Sequence, residues 1–150
     1  MGGDPIDLAG LLAEAGAPAP WAGLPEGTTL GHVHLRVSDL TAAEAFYEDA
    51  LGFDVVSRWP GALFLSVGGY HHHIGLNTWQ SRSGSAAPEG SARLERVVFQ
   101  LPHSGALGDL AERLRLSGVS ITQSPFIRSA QSVGILEVRD PFGILLAFTA

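Results

Sequence analysis

Gly31-His32-Val33-His34-Leu35-Arg36-Val37-Ser38-Asp39-Leu40, together with the residues that follow it to Gly52-Phe53, decides the fold of this chain. From His32 to Val37 polar and apolar residues alternate, as a strand with one buried face requires. His32, His34 and Arg36 share one face, and Val33, Leu35 and Val37 share the other. A helix is expected next. A capping box of Thr41 and Glu44 opens it, Ala43, Phe46, Tyr47 and Ala50 recur at helical spacing, and Gly52 ends it. Phe53–Trp59, Ala62–Val67 and Tyr70–Trp79 read as three further strands, the last two joined by a Gly68-Gly69 hairpin turn.

The same order then returns. After a Ser/Gly/Ala/Pro-rich linker (81–91), Leu94–Leu101 alternates as a strand, with Val97, Phe99 and Leu101 on one face and Arg96, Val98 and Gln100 on the other. Ser104 is expected to cap a helix carrying Leu107, Leu110, Ala111 and Leu114 and closed by Gly118. Val119–Gln123, Val133–Arg139 and Ile144–Thr149 supply three strands, with the turn Asp140-Pro141-Phe142-Gly143 between the last two. The chain therefore repeats one β-α-β-β-β unit, at about residues 30–80 and 93–150. The expected fold class is α+β: two tandem βαβββ modules forming a single open cup over residues 29–150. Residues 1–28, with a short helix capped by Asp7 and a proline-punctuated connector, read as an N-terminal arm or linker.

Composition narrows the chemistry. Across 150 residues the chain has nine Arg and no Lys, fifteen acidic residues, six His and no Cys, for a formal charge of −6. The acidic balance argues against nucleic acid or an anionic membrane as partner. No Cys means no disulfide framework, thiolate metal site or cysteine nucleophile, and no Lys means no Schiff-base chemistry. No apolar run approaches the ~20 residues of a membrane helix, and a cytoplasmic location is expected. The expected partners are a small-molecule substrate and, as an alternative to a monomer, a second copy of the chain in a homodimer. Five of the six histidines fall in two short segments, so imidazole is the expected carrier of any chemistry.

The segment 31–40, with Phe46-Tyr47 and Leu51-Gly52-Phe53, closely resembles the first module of the vicinal oxygen chelate superfamily of glyoxalases, bleomycin- and fosfomycin-resistance proteins and extradiol dioxygenases. Gly68-Gly69-Tyr70-His71-His72-His73-Ile74-Gly75-Leu76-Asn77-Thr78-Trp79 resembles the catalytic half of catechol 2,3-dioxygenase-like proteins, and Asp140-Pro141-Phe142-Gly143 is a variant of the family's closing turn. Extradiol members hold Fe(II) or Mn(II) with two His and one Glu. The resemblance places His32 at the first ligand position. It places Arg96 at the second and Ala147 at the third, and a guanidinium has no lone pair to give a metal. The standard extradiol iron site is therefore not expected.

Two chemistries remain for the cup. In the first, His73 and Glu137 move protons and Arg96 stabilises a developing enolate or phenolate. His34, His71, Arg36, Val98 and Ala147 then bind an aromatic or polyketide-like oxygenated substrate, giving an isomerase, cyclase or lyase. This reading needs no cofactor. In the second, His32, His73 and Glu137 form a rearranged site for Fe, Mn, Zn, Ni or Co in a dioxygenase or lyase. A drug-sequestering resistance protein is a third reading, from a different functional class. Strand alternation is expected to put His71 and His73 in the cup and to turn His72 toward the core or a bulge.

Overall fold

A computed structural model describes residues 5–15, 20–88, 90–128 and 131–150, with side chains left undescribed at 123–133. The chain divides into two units, Met1–Leu30 and Gly31–Ala150. In the first, α1 (Leu8–Glu14) begins where Asp7 accepts a hydrogen bond from the Gly10 N–H at 2.9 Å. Its Leu8, Leu11 and Leu12 are exposed, as is Trp21. No helix among the described residues is long and apolar enough to cross a membrane.

The second unit follows the doubled pattern. Its first half runs β1 (Val33–Arg36), α2 (Leu40–Glu44) continuing as a π-wound stretch (Ala45–Ala50), β2 (Asp54–Trp59), β3 (Ala62–Ser66) and β4 (Ile74–Asn77). The second half runs β5 (Val97–Gln100), α3 (Ser104–Leu116), β6 (Ile121–Arg128), β7 (Gln131–Arg139) and β8 (Leu145–Thr149). The two sheets have matching strand orders, β1-β4-β3-β2 and β5-β8-β7-β6. In each, the first strand pairs parallel to the last and the hairpins pair antiparallel. They remain two separate four-stranded sheets, not one closed barrel.

The helix faces pack as their apolar spacing dictates, α2 on β3 and β4, and α3 on β6 and β8. The buried residues nevertheless form one cluster. It runs from Leu35, Tyr47, Leu65 and Ile74 of the first half to Leu114, Leu136, Leu146 and Phe148 of the second. Phe53 meets Phe99 edge-on at 5.8 Å between ring centroids, and Phe99 stacks on Phe148 at 5.2 Å. The buried Tyr47 hydroxyl donates to Asp140 Oδ2 at 2.9 Å, tying the π-wound stretch after α2 to the β7–β8 turn. That turn is built by the same carboxyl, whose Oδ1 accepts from the N–H groups of Phe142 and Ile144.

Three sequence expectations are corrected here. Helix α2 is capped by Asp39, not by a Thr41/Glu44 box. Extended Asp39 places Oδ1 2.8 Å from the Thr41 N–H, and Glu44 pairs instead with Arg58. His103, not Ser104, caps α3, its Nδ1 accepting from the Ala106 N–H at 3.1 Å. The fourth strand is far shorter than Tyr70–Trp79. Gly68 and Gly69 take left-handed φ values of 66° and 74°, and the turn they open reaches almost to Ile74. Strand alternation therefore does not govern residues 70–72.

Candidate functional site

The helix-facing sides of the sheets are consumed by the core, which leaves the opposite faces for chemistry. The strand register sets two equivalent rows of residues there. In the first sheet His34 lies beside Gly75 and Gly75 beside Phe64. In the second, Val98 lies beside Ala147 and Ala147 beside Glu137. One row carries an imidazole and an aromatic ring across a glycine, the other an apolar side chain and a carboxylate across an alanine.

At the end of the first row, the chain entering β1 and the turn entering β4 bring three histidines together. His32, His71 and His72 each offer a ring nitrogen, all within 4.8 Å of one another. The His72 ring lies 4.7 Å from that of His32 and 4.5 Å from that of His71, and Phe64 presses against it at 5.1 Å. The Nδ1 atom of His72 is buried and has no hydrogen-bond partner among the described residues. Burial first, and then the neighbouring His32 and His71, lower the His72 pKa from the ordinary histidine value, which favours its neutral form.

This cluster differs from the expected set of His32, His73 and Glu137. His73 turns away: its Nδ1 takes the Val67 N–H at 3.3 Å and lies 3.1 Å from Ser66 Oγ, and its ring packs near Tyr70. There it lines an apolar cavity of about 330 Å³ with Phe53, Phe99, Leu110 and Phe148 on the helix side of the sheets. The physical reason is the turn after Gly69, which puts His72 where unbroken alternation would put His73. Glu137 is held by Arg96, Nη1 to Oε1 at 2.9 Å, in an ion pair still 34% and 21% exposed. Among the described residues no hydrogen bond, ion pair or ring contact joins this pair to the histidine cluster. Val98 is exposed and Ala147 fully buried, and Arg36 is exposed on the last residue of β1.

His34 sits between the histidine cluster and Trp79. Its ring is 6.2 Å from Phe64 and 5.9 Å from Trp79, and its Nε2 meets the Asn77 side-chain amide at 2.8 Å. Burial, with His32 as the second cause, lowers its pKa as well. Sequence reasoning missed Asn77, Phe64 and the inward turn of His72. The available signal was the double glycine one residue before the three histidines, which marks a turn and not a strand.

The donor set fits a divalent ion. Three imidazoles converge, one of them holds a buried nitrogen that nothing among the described residues satisfies, and a metal ligand must be neutral imidazole. The residues that would hold the ion are His32, His71 and His72.

Comparison with known proteins agrees with this architecture. The sequence profile of the Glyoxalase/Bleomycin resistance protein/Dioxygenase superfamily matches residues 29–148. Catechol-2,3-dioxygenase of Bacillus subtilis is 46% identical over 121 residues, which is 79% of this chain and 42% of that protein. The chain thus spans less than half the length of that relative. Among solved structures, lactoylglutathione lyase from Agrobacterium tumefaciens superposes with a TM-score of 0.63 at 20% identity, covering 83% of this chain and 95% of the other. A glyoxylase/bleomycin resistance protein/dioxygenase domain from Frankia gives 0.64 at 24% identity, covering 81% and 96%. These two show a shared fold.

Proposed function

The chain belongs to the glyoxalase/bleomycin resistance protein/dioxygenase superfamily, and on that premise we propose that it is a divalent-metal-dependent enzyme acting on a small aromatic or polyketide-like molecule with two neighbouring oxygens. The observation that carries this reading is the group of three ring nitrogens from His32, His71 and His72, together with the buried His72 Nδ1 that has no hydrogen-bond partner among the described residues. Bound there, such an ion supplies positive charge to paired oxygens and, if iron or manganese, one-electron chemistry. The 46% identity to catechol-2,3-dioxygenase favours dioxygenase chemistry within this reading.

The protein's own part is positioning. Phe64 backs His72 and keeps water from one side of it, and His34 and Trp79 offer a polar edge and an aromatic face beside the cluster. The Arg96–Glu137 pair supports a second reading, proton transfer without a metal in an isomerase, cyclase or lyase. The pair is partly exposed, so a substrate oxygen can reach the guanidinium and free the carboxylate as a base.

One experiment separates these readings. The purified chain is stripped, reloaded with Fe(II), Mn(II), Co(II), Ni(II) or Zn(II), and given catechol, with oxygen uptake and spectral change followed. Metal-dependent oxygen uptake that is lost in His72→Ala supports the dioxygenase. Failure of every ion to bind in stoichiometric amount sinks the metal reading, and turnover of a vicinal-oxygen substrate by the stripped chain, lost in Glu137→Gln, establishes the second. Tight binding of such molecules without any turnover points to the resistance-protein class.

A further inference from the structure

The hydrogen bonds around His34 determine which of its nitrogens carries the proton. Asn77 is buried at the end of β4, and its Oδ1 accepts the Trp79 N–H at 3.3 Å. That bond leaves the amide NH2 as the group facing His34, 2.8 Å from Nε2. An amide nitrogen only donates, so Nε2 must be the bare, accepting nitrogen and the ring proton must sit on Nδ1.

The neighbouring strand supplies the other restraint. A Cβ added to Gly75 would lie 3.1 Å from His34 Nδ1 and 3.3 Å from both Cε1 and Cγ. Three ring atoms at almost equal distance mean that the imidazole lies face-down over Gly75, a position that any larger residue would push it from. Gly75 does not take a left-handed conformation, so a turn does not require glycine here; the flat-lying ring does. With Nε2 engaged and the ring flat, Nδ1–H has no partner among the described residues, and the exposed His34 ring has Phe64 and Trp79 beside it.

We propose that Asn77 and Gly75 are positioning residues that lock His34 as a fixed Nδ1–H donor, and that this donor selects substrates presenting a hydrogen-bond-accepting oxygen: a carbonyl, a carboxylate or an ionised hydroxyl. The selection rests on the reading of this face as the substrate face, whereas the locked tautomer stands on the geometry alone. In this role His34 cannot act as a general base, because its only bare nitrogen is occupied by Asn77. It rejects a substrate whose nearest group is itself a donor, since two protons would then face each other.

The test uses the purified chain with 15N-labelled histidine and, as probe, tropolone, a planar ring carrying a carbonyl next to an ionisable hydroxyl. Nitrogen NMR of the metal-free wild type is expected to show Nδ1 protonated and Nε2 bare at His34. Tropolone affinity for the zinc-loaded chain is expected to fall about tenfold or more in His34→Leu, as loss of a hydrogen bond to a charged oxygen implies. It is expected to fall as far in His34→Gln, which puts a donor at the ε position, but to stay within about threefold of wild type in His34→Asn, which keeps one near the δ position. Zinc affinity should be the same in all four proteins. Protonation at Nε2 in the wild type overturns the lock, and unchanged tropolone binding in His34→Leu overturns the selection. If zinc fails to bind, the metal reading falls instead. The tautomer and tropolone arms are then read on the metal-free chain and still decide this proposal.

Discussion

The two halves of residues 31–150 share a backbone plan and differ in what they hang on it. Both sheets set a small residue at the middle of the row, Gly75 in one and Ala147 in the other. In the first, the neighbours are His34 and Phe64, with three more imidazole-bearing positions just beyond the strand ends. In the second, the neighbours are Val98 and Glu137, and Arg96 closes on the carboxylate. The difference teaches that duplication supplied the scaffold twice, while the chemistry was written separately onto each copy. Three converging ring nitrogens suit a positive ion. An Arg–Glu pair is already complete.

The largest effect that can break this comparison is on metal affinity. His72→Ala should weaken binding of zinc by two orders of magnitude or more, since a ligand costs more than the ten- to hundredfold of an outer partner. Glu137→Gln should leave it unchanged. A competition titration against a coloured chelator reads both, and a large loss in Glu137→Gln would mean that the halves share one metal site.

Next in size is the link between the halves. Tyr47→Phe removes the donor to Asp140 Oδ2 inside the core and should cost about 1–3 kcal/mol in urea unfolding. Equal stability of the variant and wild type would show that the halves are joined by apolar packing alone.

The second half's ion pair gives a smaller signal. In a double-mutant cycle of Arg96→Met and Glu137→Leu the coupling should be roughly 1 kcal/mol or less, because both side chains still see solvent. A markedly larger coupling would mean that the pair is far better shielded than its exposure indicates.

The smallest effect concerns pH. Burial raises the Asp140 carboxyl above the ordinary range, against the opposing hydrogen bonds from Ile144, Tyr47, Phe142 and Gly143. A raised acid binds its proton more tightly folded than unfolded. Its contribution is therefore fully present below the ordinary carboxylate value and is lost as pH rises through the raised one. Asp140→Asn should flatten the stability profile in that window without moving it elsewhere. A steeper profile in the variant would reverse the sign.

Much of this was legible in the sequence. Alternation in 32–37 and 94–101 and the glycines after each helix locate the repeat, because burial on one face of a strand leaves a period of two that no other arrangement imitates. His32 and the Arg96 substitution were equally readable. The pairing of Arg96 with Glu137 comes from the structure, which closes Nη1 on Oε1 at 2.9 Å. The orientation of residues 71–73 was not legible. It depends on how far a Gly-Gly turn persists before the strand takes hold, and the side-chain pattern of three identical residues carries no phase to show it. The Asp39 cap was missed because Asp39 and Thr41 are both favoured cap types two residues apart, and the His103 cap because histidine is not one; the backbone fixes which neighbouring side chain meets the free N–H groups.

The central claim is that the first half alone holds a divalent ion. Cobalt(II) added to the stripped chain reports it directly, through the intensity of the visible d–d bands and their saturation point. The account predicts one equivalent bound with nitrogen ligation, retained in Glu137→Gln and Arg96→Met and lost in His32→Ala, His71→Ala and His72→Ala. No saturable band in the wild type, or a band that survives all three histidine substitutions, would contradict it.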